Sequence, residues 1–508
     1  MGFNSFNFIV VFLPVLLCIW HILNRTGRYR AADLFLILMS LYYYYSFGMS
    51  FLVVLIVSIA VNYFLSFLIE KRDGHKGIIG TAGVVFNLGL LFYFKYLGFF
   101  VDNLNAVTGK GFSVKEILMP IGISFFSFGQ ISFIVDRSRG EAEHYDFISY
   151  ALYTAYFPKL IQGPIAFHKE MIYQYKDRAL RRFDSDLFAR GLMSFIIGLG
   201  KKVLLADKLA LSVNYGFHYT YYMDTITGIL VILAYTFQIY LDFSGYCDMA
   251  SGISMMLGYR LPDNFNSPYK ASSCKQLWQR WHMTLSRFFI KYVYIPLGGS
   301  RKGKLRTMLN VLIVFVLSGL WHGAGWTYIC WGLMQGLLVV WDDLGIIGVT
   351  DPLDENSGKK RKYLLREKPL LMIPRAVGNA ATFLMFVISL VFFRSQDMTY
   401  ALQMFRQFFF FTYPGFLYRT ASQLDIAEIY IPKQIMTVLG VANGDNIVYV
   451  ATFLLLLTVS AFIMTRKNTR QIVEETAFGN KTVIGMAIVF VWSFISLSNV
   501  STFIYFQY

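Results

Sequence analysis

Residues 51–69 read FLVVLIVSIAVNYFLSFLI, without a single charged side chain. At 1.5 Å per residue, such a helix approaches the ~30 Å hydrocarbon thickness of a bilayer. Working outward, comparable apolar runs occupy residues 7–23, 33–47, 78–101, 117–135, 187–208, 228–257, 371–393, 447–464 and 483–501. Two shorter runs, 308–320 and 326–341, flank Trp321-His322 and read as a helical hairpin or one broken element. The whole chain of 508 residues is 56% hydrophobic and 15% charged, with mean hydropathy +0.50. Soluble domains carry about 25% charged residues, and single cores stop growing at about 250–300 residues. These values exclude a soluble enzyme, a disordered chain and a fibrous protein. They predict an all-α polytopic membrane protein.

Loop charge orients the spans. The formal charge of +16 is read as a loop excess on one side of the membrane, with no nucleic acid implied. Loops 166–190, 259–306 and 354–368 hold six, ten and six Lys/Arg, and Arg25, Arg28 and Arg30 follow the first span. Segment 209–227 has none, and 395–446 has three in 52 residues. The basic set is expected in the cytoplasm. Both flanks of 147–165 are basic, and Pro158, Gly163 and Pro164 break any helix there. A re-entrant segment is predicted, buried in protein or lining a wet cavity. The crossings number about 12, with both termini extracytoplasmic.

The run Phe6 to Trp20 lacks a preceding basic segment and an A-x-A-like site, so it reads as a first span and not a signal peptide. Residues 1–508 are read as one membrane-embedded domain with its core at about 90–345. Segment 350–370 is the linker candidate, and 395–446 is an external insert with room for short amphipathic helices. Pro120, within Leu118–Phe126, is expected to start a helix.

Most familiar chemistries find no residues. Cys18, Cys247, Cys274 and Cys330 form no CxxC pair, so no disulfide framework and no metal site are expected. There is no P-loop, GxGxxG or HExxH, and Ser244 lacks a G-x-S-x-G elbow. No tightly bound cofactor is expected.

Ionisable groups at membrane depth are functional candidates. His21, His75, His144, His168 and His218 fall at span ends or in loops, where solvated or interfacial roles suffice. His322 lies in Ser318-Gly319-Leu320-Trp321-His322-Gly323-Ala324-Gly325-Trp326, between apolar runs and walled by tryptophans. A neutral imidazole there can take a proton from a hydroxyl near pH 7; it can equally be hydrogen-bonded between helices. His282 lies in Trp278-Gln279-Arg280-Trp281-His282-Met283, with Arg287 close by. That basic stretch suits an anionic thioester donor or lipid headgroups, or serves as an interfacial anchor. Asp242 ends an apolar run and needs a partner, either an arginine or a histidine it would orient. Tyr505, in the aromatic tail 501–508, is an interfacial anchor or a hydroxyl nucleophile.

Trp321-His322-Gly323, with Arg280-Trp281-His282-Met283-Thr284-Leu285-Ser286 upstream, resembles the membrane-bound O-acyltransferase family. The bacterial branch is nearest, typified by the alginate O-acetyltransferase membrane subunit, peptidoglycan O-acetyltransferases and the teichoic-acid D-alanyl transferase. Segments Leu118–Phe126, Phe157–Pro164, Leu241–Asp248, Asn264–Tyr269, Tyr294–Gly299 and Phe392–Arg394 extend the likeness from about residue 90 onward. The resemblance implies a ring of about 11–13 membrane helices with re-entrant segments, and opposed cytoplasmic and external funnels meeting near His322. It implies catalytic roles for His322 and His282, with Trp281, Trp321, Asp242 and Ser318 lining the site. The implied activity moves an acyl group, chiefly acetyl, from a cytoplasmic thioester to a hydroxyl on an extracytoplasmic polysaccharide or relay protein. Acetyl-CoA or an acyl carrier protein is the implied donor, the bacterial inner membrane the location, and membrane lipids the surroundings. The tail Phe503–Tyr508 resembles an acyl-transfer motif that sits on a separate small protein in the D-alanylation system, making Tyr505 a candidate transient acyl carrier. Two alternatives stand beside this reading: D-alanyl transfer from a carrier protein, and a non-catalytic exporter. The isolated helix breaks, without an inverted repeat, weigh against the exporter.

Overall fold

The computed structural model describes residues 1–115, 117–350, 363–409 and 415–499. They fall into two compact units interleaved along the chain. One comprises Met1–Leu199, Tyr246–Asp263 and the segment from Val473; the other comprises Gly200–Gly245 and Asn264–Ile472. Among the described residues, helix is almost the only regular structure, as the patterning predicts for backbone in lipid. Among the described residues, seven helices are long and apolar enough to cross a bilayer: Phe8–Arg25, Met49–Lys71, Lys76–Thr108, Thr225–Met256, Lys304–His322, Arg375–Arg394 and Gly444–Thr465. The other expected spans are shorter, such as Asn480–Ile495, or compound. One of these runs as α-helix Ser185–Gly200, π-helix Lys201–Ala206 and α-helix Asp207–His218.

In the first unit, the helices Met49–Lys71 and Lys76–Leu91 are joined by a reciprocal amide pair. Asn62 Nδ2 donates to Asn87 Oδ1 at 3.2 Å, and Asn87 Nδ2 donates to Asn62 Oδ1 at 2.7 Å. Each amide also donates to its own helix four residues back. Two buried side chains thereby satisfy each other where water is excluded.

One sequence expectation is corrected here. The helix placed at 117–135 runs Ile123–Ser138, so Pro120 does not start it. Gly122 precedes it at φ 78° and lies against the Ile161 backbone, where a Cβ would come within 2.7 Å of Ile161 Cα. That close approach ends the irregular entry and delays the helix. The segment 147–165 is broken, as its prolines dictate. Asp146 caps helix Phe147–Ala155 through the Ser149 N–H at 3.2 Å, Tyr156 interrupts, and one turn follows at Phe157–Leu160. Nine residues reach about 13 Å, less than half the hydrocarbon thickness.

In the second unit, Lys304–His322 and Trp326–Leu344 form the hairpin allowed by the sequence. The apolar run at 371 does not begin as helix. Ile347–Val349 and Leu371–Ile373 pair in parallel, Ile347 opposite Leu371, and Pro374 then caps the helix Arg375–Arg394. Hydropathy alone cannot separate three β-bonded residues from the helix behind them. The insert carries short helices at Met398–Gln407, Gly415–Ala421 and Tyr430–Val438, as anticipated. Tyr430, Ile431, Val438 and Leu439 are exposed there.

Candidate functional site

The hairpin positions His322. Its two helices cross at Gly319 and Gly332. A Cβ on Gly319 would stand 2.2 Å from the Tyr328 carbonyl oxygen, and one on Gly332 would stand 2.4 Å from the Phe315 oxygen. Backbone meets backbone only where both residues lack side chains. His322 is the last residue of its helix; Gly323 turns extended, and the chain re-enters helix at Trp326. The helix C-terminus attracts positive charge developing on the ring. Ser318 lies one turn earlier and is buried.

Around His322 stands a cage of rings. Centroids lie 4.9 Å away for Trp321, 5.2 Å for Trp331, 5.1 Å for Phe393 and 6.4 Å for His282. His322 is 3% exposed. The sequence reading expects this ring to open toward both faces of the membrane; the structure instead buries it among aromatic rings. Behind the cage, Trp278 Nε1 donates to Gln335 Oε1 at 3.1 Å, and Gln335 Nε2 donates to Ser389 Oγ at 2.6 Å. This chain fixes Trp278, whose ring lies 5.7 Å from that of Trp331.

His282 departs from its expected setting. It is 0% exposed and sits at φ 43° in a corner between the helices Cys274–Trp278 and Met283–Phe289. The side chain is enclosed by protein in that corner. Its Nδ1 lies 2.9 Å from Asn264 Oδ1, and its ring stands edge-on to Phe243 at 4.8 Å. Burial pushes its imidazole down to about 3, so the ring is neutral near pH 7.

The other candidates are dispersed. Trp281 packs among Tyr240, Phe265, Tyr269 and Phe386. Asp242 pairs with a lysine, where arginine or histidine was expected: Lys202 Nζ lies 2.6 Å from Asp242 Oδ1 and 2.8 Å from Asp207 Oδ1. Asp242 is nevertheless adjacent in sequence to Phe243, which walls His282. Tyr505 lies outside the described residues. In the first unit, His168 is not solvated as expected. It is 0% exposed, between Tyr145 OH at 2.8 Å and Asp136 Oδ2 at 3.1 Å. Sequence reasoning passed over Asn264, Trp331 and Phe393. Asn264 and Phe393 fall within segments that carry the family resemblance, and Trp331 lies on the hairpin's second helix. Among the described residues, no group of three His, Cys, Asp or Glu forms a metal-ligand set.

Taken together, the site offers two neighbouring imidazoles in a water-poor aromatic cage, a setting for proton transfer from a hydroxyl. A sequence profile of the membrane-bound O-acyltransferase family matches residues 38–346. The chain is 38% identical over 365 residues to the peptidoglycan O-acetyltransferase of Helicobacter pylori, covering 66% of this chain and 69% of that one. It is 37% identical over 427 residues to the probable alginate O-acetylase AlgI of Pseudomonas aeruginosa, covering 81% and 75%. It is 23% identical over 348 residues to the teichoic acid D-alanyltransferase of Bacillus subtilis, covering 66% and 87%.

Proposed function

Because the chain belongs to the membrane-bound O-acyltransferase family and is an O-acyltransferase, we propose that it moves an acetyl group from a cytoplasmic thioester to a hydroxyl on an extracytoplasmic polysaccharide. The observation that supports the reading is the proximity of two imidazoles, His322 and His282, their rings 6.4 Å apart among aromatic side chains. His322 takes the proton of the acceptor hydroxyl, whose oxygen attacks the thioester carbonyl. The C–S bond of the tetrahedral intermediate then breaks, and the sulfur leaves as a thiol carrying the proton. General-base catalysis supplies about 10²–10⁴-fold, and alignment of two substrates supplies much of the rest. Excluding water from the cage protects the thioester from hydrolysis. The acceptor is a glycan hydroxyl or, in a relay, the Tyr505 hydroxyl, which then hands the acetyl on. In this reading the chain sits in a bacterial inner membrane with both termini outside, an orientation that the basic loops favour. The donor is acetyl-CoA or an acylated carrier protein.

The likeness to two named O-acetyltransferases at higher identity favours acetyl over D-alanyl transfer. Purified protein incubated with isotope-labelled acetyl-CoA, followed by peptide mass spectrometry, tests the reading. Labelled acetyl on Tyr505, or on added oligosaccharide, supports it. Turnover with a D-alanyl carrier protein and none with acetyl-CoA overturns the acetyl assignment. Acyl flux unchanged in His322→Ala overturns catalysis in favour of an exporter.

A further inference from the structure

Asn264 is a small polar residue held by several bonds. Its Oδ1 lies 2.9 Å from His282 Nδ1, 2.9 Å from Thr284 Oγ1 and 3.4 Å from the Thr284 backbone nitrogen. Its backbone carbonyl accepts from the Met283 N–H at 3.0 Å, and Asn266 N–H donates to the Arg280 carbonyl at 2.9 Å. These links clamp 264–266 onto 280–284. A backbone nitrogen only donates, so the amide atom facing it is the oxygen. A carboxamide oxygen only accepts, so His282 Nδ1 carries the hydrogen. In a neutral imidazole the lone pair then resides on Nε2.

We propose that Asn264 is a positioning residue for acyl transfer: by holding His282 as its Nδ1–H tautomer, it keeps a lone pair and not an N–H on Nε2 of the ring that neighbours His322, so that the imidazole dipole favours the cation formed there. The proposal rests on the reading of His322 as base. When His322 takes the hydroxyl proton, a cation forms among Trp321, Trp331 and Phe393, where burial makes the orientation of neighbouring dipoles matter. The His282 ring is such a neighbour, with its centroid 6.4 Å away, and acts on that cation through its dipole. Asn264, His282 and His322 thus form a relay of neutral groups. The logic is that of a base oriented by a third side chain, with an amide in place of a carboxylate. The other tautomer would put an N–H on Nε2 in place of the lone pair and turn the ring's dipole against the cation.

Charged and titratable groups stand near His282 on several elements. His322 faces it from the hairpin, Asp242 lies beside Phe243 and pairs with Lys202, and Arg280 and Arg287 flank it in sequence, Arg280 donating to the Asn266 carbonyl at 3.2 Å. The test compares Asn264→Leu and Asn264→Asp in the full-length protein, measuring thiol release from acetyl-CoA across pH. Asn264→Leu is expected to lower kcat at least tenfold with the donor KM within about twofold, since wrong-tautomer losses reach about 10⁴-fold. Asn264→Asp keeps the acceptor at Nδ1–H and adds negative charge. It is expected to restore most of kcat and to move the acid limb of the pH profile upward, because a carboxylate favours the protonated imidazoles. Wild-type kcat in folded Asn264→Leu overturns the proposal. So do equal losses in both variants with an unmoved pH profile, which mark a purely structural role. His322→Ala run alongside separates the two ideas: its full activity defeats the functional reading itself, whatever Asn264 does.

Discussion

Lys202 Nζ is shared by two buried carboxylates, 2.6 Å from Asp242 and 2.8 Å from Asp207. The lysine lies in the π-helical turn Lys201–Ala206, and Asp242 lies on the long helix Thr225–Met256. The cluster ties two helices of the second unit at a point adjacent in sequence to Phe243, which walls His282.

Removing the shared cation is therefore expected to cost more than neutralising one acid. Lys202→Met breaks a buried ion pair, a change worth about 3–5 kcal/mol. Asp242→Asn keeps an oxygen acceptor for the ammonium and leaves Asp207 in place, and it is expected to cost under about 2 kcal/mol. Melting temperatures in one detergent check the order. Equal shifts, or a larger one for Asp242→Asn, contradict it.

The glycine crossing predicts a position-dependent series along the site. Gly319→Ala and Gly332→Ala drive a Cβ to within 2.4 Å of carbonyl oxygens, so the hairpin must part and His322 must move. Both are expected to lose most transfer activity. Gly485→Ala meets nothing within 4 Å and removes a helical glycine, so it is neutral or stabilising by up to about 1 kcal/mol. Activity and melting temperature across the three variants give the answer.

His282 should also make the protein acid-sensitive. Its folded pKa, near 3, lies below the unfolded value of about 6.5, so the unfolded chain binds a proton that the folded chain refuses. Stability from this group is fully present above pH 6.5. It is lost as pH falls toward 3, at about 1.4 kcal/mol per unit. His282→Gln cannot protonate and should flatten that part of the melting-temperature profile between pH 6.5 and 5. An unchanged slope contradicts the buried, neutral assignment.

Opening the cage should uncouple the reaction. Phe393→Ala removes a ring 5.1 Å from His322 and lets water reach the thioester. Thiol release is expected to persist while the share of acetyl delivered to acceptor falls. Release and delivery falling in parallel would contradict water exclusion as the role of the ring.

Much of this architecture is legible in the sequence because lipid allows few solutions. Uncharged runs such as 51–69 lie within helices close to their predicted bounds. The Gly-rich break at His322 announces itself. What sequence does not reveal depends on distant partners. Gly122 shortens a helix because Ile161 packs against it. Leu371–Ile373 becomes a strand because Ile347–Val349 lies beside it. His282 reads as a basic-loop residue, yet a left-handed backbone and Asn264 turn it inward beside His322. Lys202 meets Asp242 across forty positions, a distance no local pattern covers. The tail with Tyr505 stands on family resemblance alone.

The central claim is that His322 performs the proton transfer. It is tested most directly by the rate of thiol release from acetyl-CoA in purified His322→Gln supplied with an acceptor oligosaccharide. A folded variant with wild-type melting temperature and a rate at least about 10²-fold lower is the predicted result. Release and acetyl delivery at the wild-type rate would contradict it.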